Sequence, residues 1–459
     1  MNIQEILESR WGYKSFRGEQ QKIIEQILQK QSVLAVQPTG FGKSLCFQIP
    51  SIVFKGLTLV VSPLIALMKD QVDDALQKNL KVAAIHSGMS RDEREKVLKK
   101  LARCELQLLY VTPERFRKED FWAALLKNQI ELFVIDEAHC ISEWGHDFRP
   151  DYSRLGDIRK KLGDPCTLAL TATATKEVQK DIVEQLQIEA GHVFDAGAIR
   201  ENLFLQTVEV YGHDEKVRAF IGIHHQNPGA KIIYFALIST LERFSRDLQK
   251  LSIVHSVYHG QLPDNLRRRS QEGYINDPNG LILATPAFGL GINKSDIRVV
   301  VHAEVPASIE AYYQEVGRAG RDGTAAHGYL LYDADDVAIQ MDFLKWSSPE
   351  PEFIFRVYSL LEYNMDKVRA GGLDYMRGQL LFYHQRDFRL ETALNQLERF
   401  GFIEGKDAKT WKCLEYPSGE LVDEQLHKKR LVQQQKKLLQ MIELTKMGDP
   451  NIAIKEYFS

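Results

Sequence analysis

The 459-residue sequence is poor in cysteine: there are five, Cys46, Cys104, Cys140, Cys166 and Cys413, scattered and without a CxxC pair. An odd, dispersed set supports neither a disulfide framework nor a cysteine-ligated zinc, and it points to a reducing compartment. No apolar run reaches the roughly 20 residues of a membrane span. The N-terminal stretch "MNIQEILESRWGYKSF" has no basic segment followed by an apolar one, so it is no secretory signal. A dominant charge is missing too: 59 Lys and Arg face 62 Asp and Glu, a net charge of −3. Bulk charge therefore predicts no polyanionic partner, and any basic surface must be local. What remains is an ordinary globular composition, 44% hydrophobic and 26% charged, on a chain long enough for about two to four domains.

Short apolar runs alternate with longer amphipathic stretches. "VLAVQ", "TLVVSP", "VAAIHSG", "LQLLYVTP", "LFVIDE" and "TLALTAT" are continuous rather than alternating in polarity, as buried parallel strands are. "LFLQTVEV", "KIIYFA", "SVYHG", "LILATPA", "VVVHAEVP" and "GYLLYD" form a second such set. Segments such as "DEREKVLKKLAR" between them suit surface helices. The pattern predicts an α/β protein with two tandem parallel-sheet lobes, 1–200 and 201–342, parted near "GAIRENLF". A mainly helical C-terminal region, 343–459, follows. Within it, "LETALNQLERFGFIEG" predicts a helix stopped at Gly401, and "IEGKDAKTWKCLEY" a two-stranded wing. That suits a winged helix over 353–422, with a plain helical cap as the alternative. The basic stretch Leu426 to Lys446 suits a solvated helix face better than a phosphate-binding surface.

The chemistry concentrates in a few places. "VLAVQPTGFGKSLCFQIP" is a strand, a tight loop and a helix. A phosphate cradle needs glycines that let backbone N–H groups converge, a lysine for the outer phosphates and a hydroxyl for magnesium. The stretch Thr39, Gly40, Phe41, Gly42, Lys43, Ser44 and Leu45 supplies these, although Gln37 stands where the strict pattern has glycine. Phe41, between two glycines, can point outward. Asp136 closes the strand "LFVID", at the end where open α/β sheets bind ligands. It is expected to hold Mg²⁺ with Ser44, while Glu137 orients and deprotonates the attacking water. His139 could tie this site to neighbouring loops. Tyr13, Arg17 and Gln20 precede the first strand, and a glutamine can pair with adenine's amino group and N7. In "EAYYQEVGRAGRDG", Arg318 and Arg321 could reach across a cleft to a nucleotide on the first lobe, and Gln314 stands one turn before them. Taken alone, the two arginines would more simply bridge to Glu315 or Asp322.

These elements do not stand alone. The phosphate loop, "DEAH", "TAT" at Thr171 to Thr173, "ATPAFGLGINKSDIRVVVH" and "QEVGRAGRDG" occur in this order over two α/β lobes. The set resembles the superfamily 2 helicase motor with its RecA-like lobes. "FRGEQ", "SPLIALMKDQV" and "DEAHCISEWGHDFRPDY" narrow the resemblance to the RecQ family of DNA helicases, over about residues 1–342. The resemblance implies ATP and Mg²⁺ as cofactors. It implies a 3′→5′ motor on single-stranded and forked DNA, with Gln20, Arg17 and Tyr13 reading adenine. Lys43, Asp136, Glu137 and Arg318 would act at the phosphates, with Arg321 as the arginine finger. Trp144, His146, Phe148 and Arg149 would bind the DNA strand. Stacking a base on a ring contributes about 1–3 kcal/mol, comparable to the ~1.4 kcal/mol of one duplex step. A ring loop so close to the metal-binding acids could make hydrolysis depend on DNA. The alternative is that Trp144 and Phe148 pack between the lobes.

Many members of the family carry four zinc-binding cysteines after the motor, and none is present in this sequence, so no zinc is expected. Residues 423–459 suit a degenerate or truncated remnant of that module. Asn293 stands where the family usually has an acid. Two other readings remain at this level: an ATP-switched DNA-binding or annealing factor, and an RNA helicase. A monomer in the bacterial cytoplasm, at the nucleoid and away from membranes, is the expected setting. A single-strand-binding protein is a candidate partner.

Overall fold

The computed structural model describes residues 2–142, 149–197, 200–289, 292, 294–380, 387–405 and 407–458. The chain divides into two compact units, Met1–Asp333 together with Glu443–Ser459, and Ala334–Ile442. The first unit holds two parallel sheets. Strands β1 (Val33–Val36), β2 (Leu57–Val61), β3 (Val82–Ile85), β4 (Leu108–Val111), β5 (Ile130–Ile135), β6 (Cys166–Thr171) and β7 (Val193–Asp195) form the first, in the order β3-β4-β2-β5-β6-β1-β7. Strands β8 (Leu203–Glu209), β9 (Ala230–Tyr234), β10 (Ser256–Tyr258), β11 (Leu281–Ala284), β12 (Ile297–His302) and β13 (Ala326–Tyr332) form the second, in the order β10-β11-β9-β12-β13-β8.

The central strands are buried along their whole length, as their continuous apolar runs require: β1, β2, β4, β6, β9 and β11 expose nothing. The edge strands depart from that texture. Strand β8 lies at the margin of its sheet, so its side chains alternate between buried and exposed from Leu203 to Gln206. Strand β7, "VFD", was missed in the sequence because it is short, half-buried and ends in an acid. Helices cover both faces of the first sheet. One core gathers Leu34, Leu59, Val111, Phe133, Tyr152 and Leu186, the other Ile23, Val33, Phe47, Tyr110, Val134 and Leu168. Successive residues of each strand feed opposite cores, so one strand register serves both layers.

The last helix, Pro450–Phe458, packs on the second lobe: Tyr457 donates to Glu310 Oε1 at 2.9 Å, and the Phe458 ring meets Tyr313 at 5.5 Å. This differs from the single C-terminal region 343–459 read from the sequence. Met447, Gly448 and Asp449 interrupt the helical pattern, and Pro450 restarts a helix whose Ala453, Ile454 and Phe458 are buried.

The second unit is largely helical. Helix Arg389–Phe400 stops at Gly401 (φ 83°), and a hairpin of β14 (Ile403–Glu404) with β15 (Lys412–Cys413) follows. Phe353, Val357, Leu361, Leu390, Leu394, Leu397 and Trp411 form its core. Helix Glu424–Thr445 carries the basic stretch, and its cations find nearby acids, Lys428 with Glu424 at 3.8 Å and Arg430 with Glu420 at 3.1 Å. Among the described residues no helix is long and apolar enough to cross a membrane.

Candidate nucleotide site

Strands β2, β5, β6 and β1 are neighbours, and the loops at their carboxyl ends converge. After β1 the chain turns through Gly40 (φ 86°) and Gly42 (φ 75°). Only glycine adopts that left-handed backbone without cost, and the turn leads directly into helix Leu45–Val53. Lys43 reaches back so that Nζ donates to the Gln37 carbonyl at 3.1 Å. Its burial lowers the ammonium pKa, opposed by the negative fields of Glu137 and Asp136. Ser44 precedes the helix but makes no side-chain cap hydrogen bond. Phe41 lies between the two glycines. It is half-buried, and its ring lies close enough to Gly18 that a Cβ there would meet Cε1 at 3.4 Å.

Gln20 is buried at 1% exposure and bound at both ends. Its Oε1 accepts from the Arg17 N–H at 2.9 Å, and Nε2 donates to the carbonyls of Phe41 (2.6 Å) and Gly42 (3.1 Å). Both amide hydrogens are thus committed to the phosphate loop. Pairing with adenine N7 would require the side chain to release one of them. Tyr13 is half exposed beside this segment.

Asp136 and Glu137 follow β5. The Asp136 carboxylate lies 3.4 Å from the Ser62 hydroxyl at the end of β2, and its carbonyl accepts from Tyr152 OH at 3.0 Å. Burial, then repulsion from Glu137, pushes the Asp136 pKa up to about 7 despite Lys43 nearby. Glu137 sits in the left-handed region (φ 51°, ψ 49°), a conformation costing a non-glycine residue about 1–2 kcal/mol. That reversal starts the short turn Ala138–Ile141 and carries His139 beneath the site. His139 Nδ1 stands 2.9 Å from Thr171 Oγ1 and 3.4 Å from Glu137 Oε2. Thr171 in turn donates to the Thr173 carbonyl at 3.2 Å. His139 therefore ties the acidic loop to the end of β6.

The second lobe supplies the opposite wall. Helix Ile309–Val316 ends in a turn bearing Arg318 and Arg321, with Gln314 half-buried on its last turn. The Arg318 guanidinium lies against Gly289. Arg321 donates through Nη1 to the Ile292 carbonyl at 3.0 Å, and its stem crosses to the phosphate loop, where a Cβ at Gly40 would stand 2.8 Å from Arg321 Cγ. Burial, then repulsion from Arg318 and Arg200, lowers the Arg321 pKa to about 10, so it stays charged at neutral pH. Thr39 Oγ1 donates to the Gly317 carbonyl at 2.7 Å, a direct bond between the lobes. Arg318 bridges to neither of the two acids suggested by its local sequence: Glu315 pairs with His302 at 2.5 Å and Asp322 with Arg298 at 2.6 Å.

Lys43, Asp136, Glu137 and Arg321 are therefore brought to one cleft. Trp144, His146, Phe148 and Asn293 lie outside the described residues. Arg149 is described: Nη1 donates to the Pro63 carbonyl at 3.3 Å, at the carboxyl end of β2. Sequence reasoning missed Arg200, whose contacts are distant along the chain, and it counted Tyr152 among the rings after the acids without foreseeing its bond to Asp136.

The residues fit a magnesium nucleotide. Glu137 Oε2 is buried without a hydrogen-bond partner, and the Ser44 hydroxyl is not spent on capping. Among the described residues no cluster of three or more His, Cys, Asp or Glu could hold a metal by itself.

Two parallel-sheet lobes, with a phosphate loop and carboxylates on one and paired arginines on the other, are the arrangement of the helicase class of proteins. Residues 17–182 match the DEAD/DEAH box helicase family, and residues 213–323 the helicase conserved C-terminal domain. A DEAD-box helicase solved with ssRNA and UDP-BeF shares the fold at a TM-score of 0.57 and 16% identity, over 86% of this chain and 90% of that one. ATP-dependent DNA helicase RecQ of Bacillus subtilis is 40% identical over 349 residues, 76% of this chain and 59% of the relative. The probable ATP-dependent DNA helicase RecS of the same organism is 36% identical over 428 residues, 88% of this chain and 86% of the relative. The chain belongs to the RecQ family of ATP-dependent DNA helicases. It spans 52–59% of the length of the RecQ relatives from Bacillus subtilis, Haemophilus influenzae and Pasteurella multocida.

Proposed function

We propose that this protein is an ATP-dependent DNA helicase that moves 3′→5′ on single-stranded DNA and separates forked duplexes, in repair and recombination. The observation that carries the proposal is the meeting of Lys43, Glu137 and Arg321 across one interlobe cleft. A pure binding switch has no use for a glutamate whose Oε2 is buried without a hydrogen bond beside a phosphate lysine. Lys43 would hold the outer phosphates, and Asp136 with Ser44 would hold Mg²⁺, which supplies charge neutralisation at the phosphates. Glu137 would take the proton of the attacking water, and Arg321 with Arg318 would stabilise the charge that builds on the transferred phosphoryl group. Trp144, His146, Phe148 and Arg149 would bind the single DNA strand and report it to the acidic loop. The setting proposed with this activity is the bacterial cytoplasm at the nucleoid, with the protein a monomer and a single-strand-binding protein its candidate partner. No zinc is part of this reading.

The test is strand separation on 3′-tailed and 5′-tailed duplexes with and without ATP. Unwinding of the 3′-tailed substrate alone, requiring ATP and lost in Glu137→Gln, is expected. Unchanged strand separation in Glu137→Gln would instead favour the annealing or binding factor. Trp144→Ala should lose DNA stimulation of the ATPase while keeping its unstimulated rate. Undiminished stimulation would refute the coupling role.

A further inference from the structure

Arg200 lies in the segment joining the last strand of the first sheet to the first strand of the second. It is buried at 9% exposure, and no carboxylate among the described residues pairs with it. A buried guanidinium without a counter-ion is costly unless its donors are all directed to acceptors. Here they go to the backbone. Nη1 donates to the carbonyls of Gly317 (3.0 Å) and Ala319 (2.8 Å), and Nη2 donates to the carbonyl of Gly320. Those carbonyls follow helix Ile309–Val316, where the helix leaves its last C=O groups unsatisfied and its dipole is negative. The charge of Arg200 is therefore compensated by three carbonyls of the turn that follows this helix, and that turn bears Arg318 and Arg321.

Two further contacts bear on the same turn. Asn202 Nδ2 donates to the carbonyls of Gly320 and Thr324, both at 2.8 Å. Thr39 of the phosphate loop donates to the Gly317 carbonyl that Arg200 also holds. Repulsion makes the arrangement informative. Arg318 and Arg200 both act to lower the pKa of Arg321, so three guanidinium groups crowd one turn. An arginine whose only task was stability would be poorly placed beside two other cations.

We propose that Arg200 is a positioning residue. It clamps the Gly317–Gly320 turn so that Arg318 and Arg321 face the nucleotide, and through the shared Gly317 carbonyl it ties the interlobe segment to the phosphate loop. The inference rests on the reading of Arg321 as the group that stabilises phosphoryl transfer. Its chemistry is that of a fork: one planar guanidinium serves three carbonyls, which a lysine ammonium on a flexible stem cannot match.

The test measures kcat and KM for ATP, with saturating single-stranded DNA, in wild type, Arg200→Lys, Arg321→Ala and the double variant, alongside thermal melting of each. Arg200→Lys should lower kcat about tenfold or more and leave KM within about twofold. On the Arg321→Ala background it should cause no further loss, because its effect passes through Arg321. An equal loss on both backgrounds, a kcat within about twofold of wild type, or parallel changes in kcat and KM would overturn the proposal. Should Arg200→Lys fail to fold, Asn202→Ala acts on the same turn and must show the same fall in kcat at constant KM. If Arg321→Ala itself retains full kcat, the reading of the finger fails, which is a different result from failure of Arg200 alone.

Discussion

Gly40→Ala tests whether the cleft is as tightly built as the distances indicate. Gly40 has φ 86°, so alanine there incurs about 1–2 kcal/mol of backbone strain. Its new Cβ would stand 2.8 Å from Arg321 Cγ, well inside the normal contact of about 3.5–4.0 Å. Overpacking of this kind costs about 1–3 kcal/mol, and the flexible Arg321 stem favours the lower part of that range. The sum, about 2–3 kcal/mol, falls on the closed cleft and corresponds to a loss of roughly 30- to 150-fold in nucleotide affinity. The assay is titration with a fluorescent ATP analogue, which needs no turnover. In an Arg321→Ala background the steric part should vanish, leaving only the backbone cost, a loss of about 5- to 30-fold. Equal losses in the two backgrounds would refute the contact between the phosphate loop and the arginine turn.

Asp136 has its pKa raised from 3.8 to about 7, so between these values the folded protein holds a proton that the unfolded chain has lost, and stability falls as pH rises through that window. In magnesium-free solution Asp136→Asn should therefore be more stable than wild type at pH 8, by on the order of 2–4 kcal/mol, and the gain should shrink toward pH 5; urea unfolding at both pH values measures it. Gln20→Ala removes three hydrogen bonds that brace the phosphate loop and should raise KM for ATP while lowering stability by about 1–3 kcal/mol, checked by steady-state kinetics and denaturant titration. Gly328→Ala places a Cβ 2.5 Å from Leu205 Cδ2 and 3.1 Å from Val316 Cγ1 in the second lobe, and calorimetry should show a melting temperature lower by about 3–8 °C.

Much of the molecule could be read along the chain, because the relevant physics is local there. A strand buried on both faces is apolar at most of its positions, so β1, β2, β4, β6, β9 and β11 declare themselves in four to six residues. Tight backbone turns require glycine, so Gly40 and Gly42 mark the phosphate loop, and Gly401 marks the end of a helix. Strand ends place Asp136, and spacing places Arg318 and Arg321 on one turn.

Only the tertiary structure decided who meets whom. Gln20 shows its amide committed to Phe41 and Gly42 only once the two segments are folded together. The Thr39 hydroxyl finds Gly317, and Arg200 finds three carbonyls more than a hundred positions later, through backbone atoms that every residue carries. Side-chain identity writes periodicity, turns and charge into a sequence, but a carbonyl acceptor leaves no such mark. That is why the fold and the principal groups of the site were legible from the residues alone, while the contacts that hold the arginine turn against the phosphate loop were not.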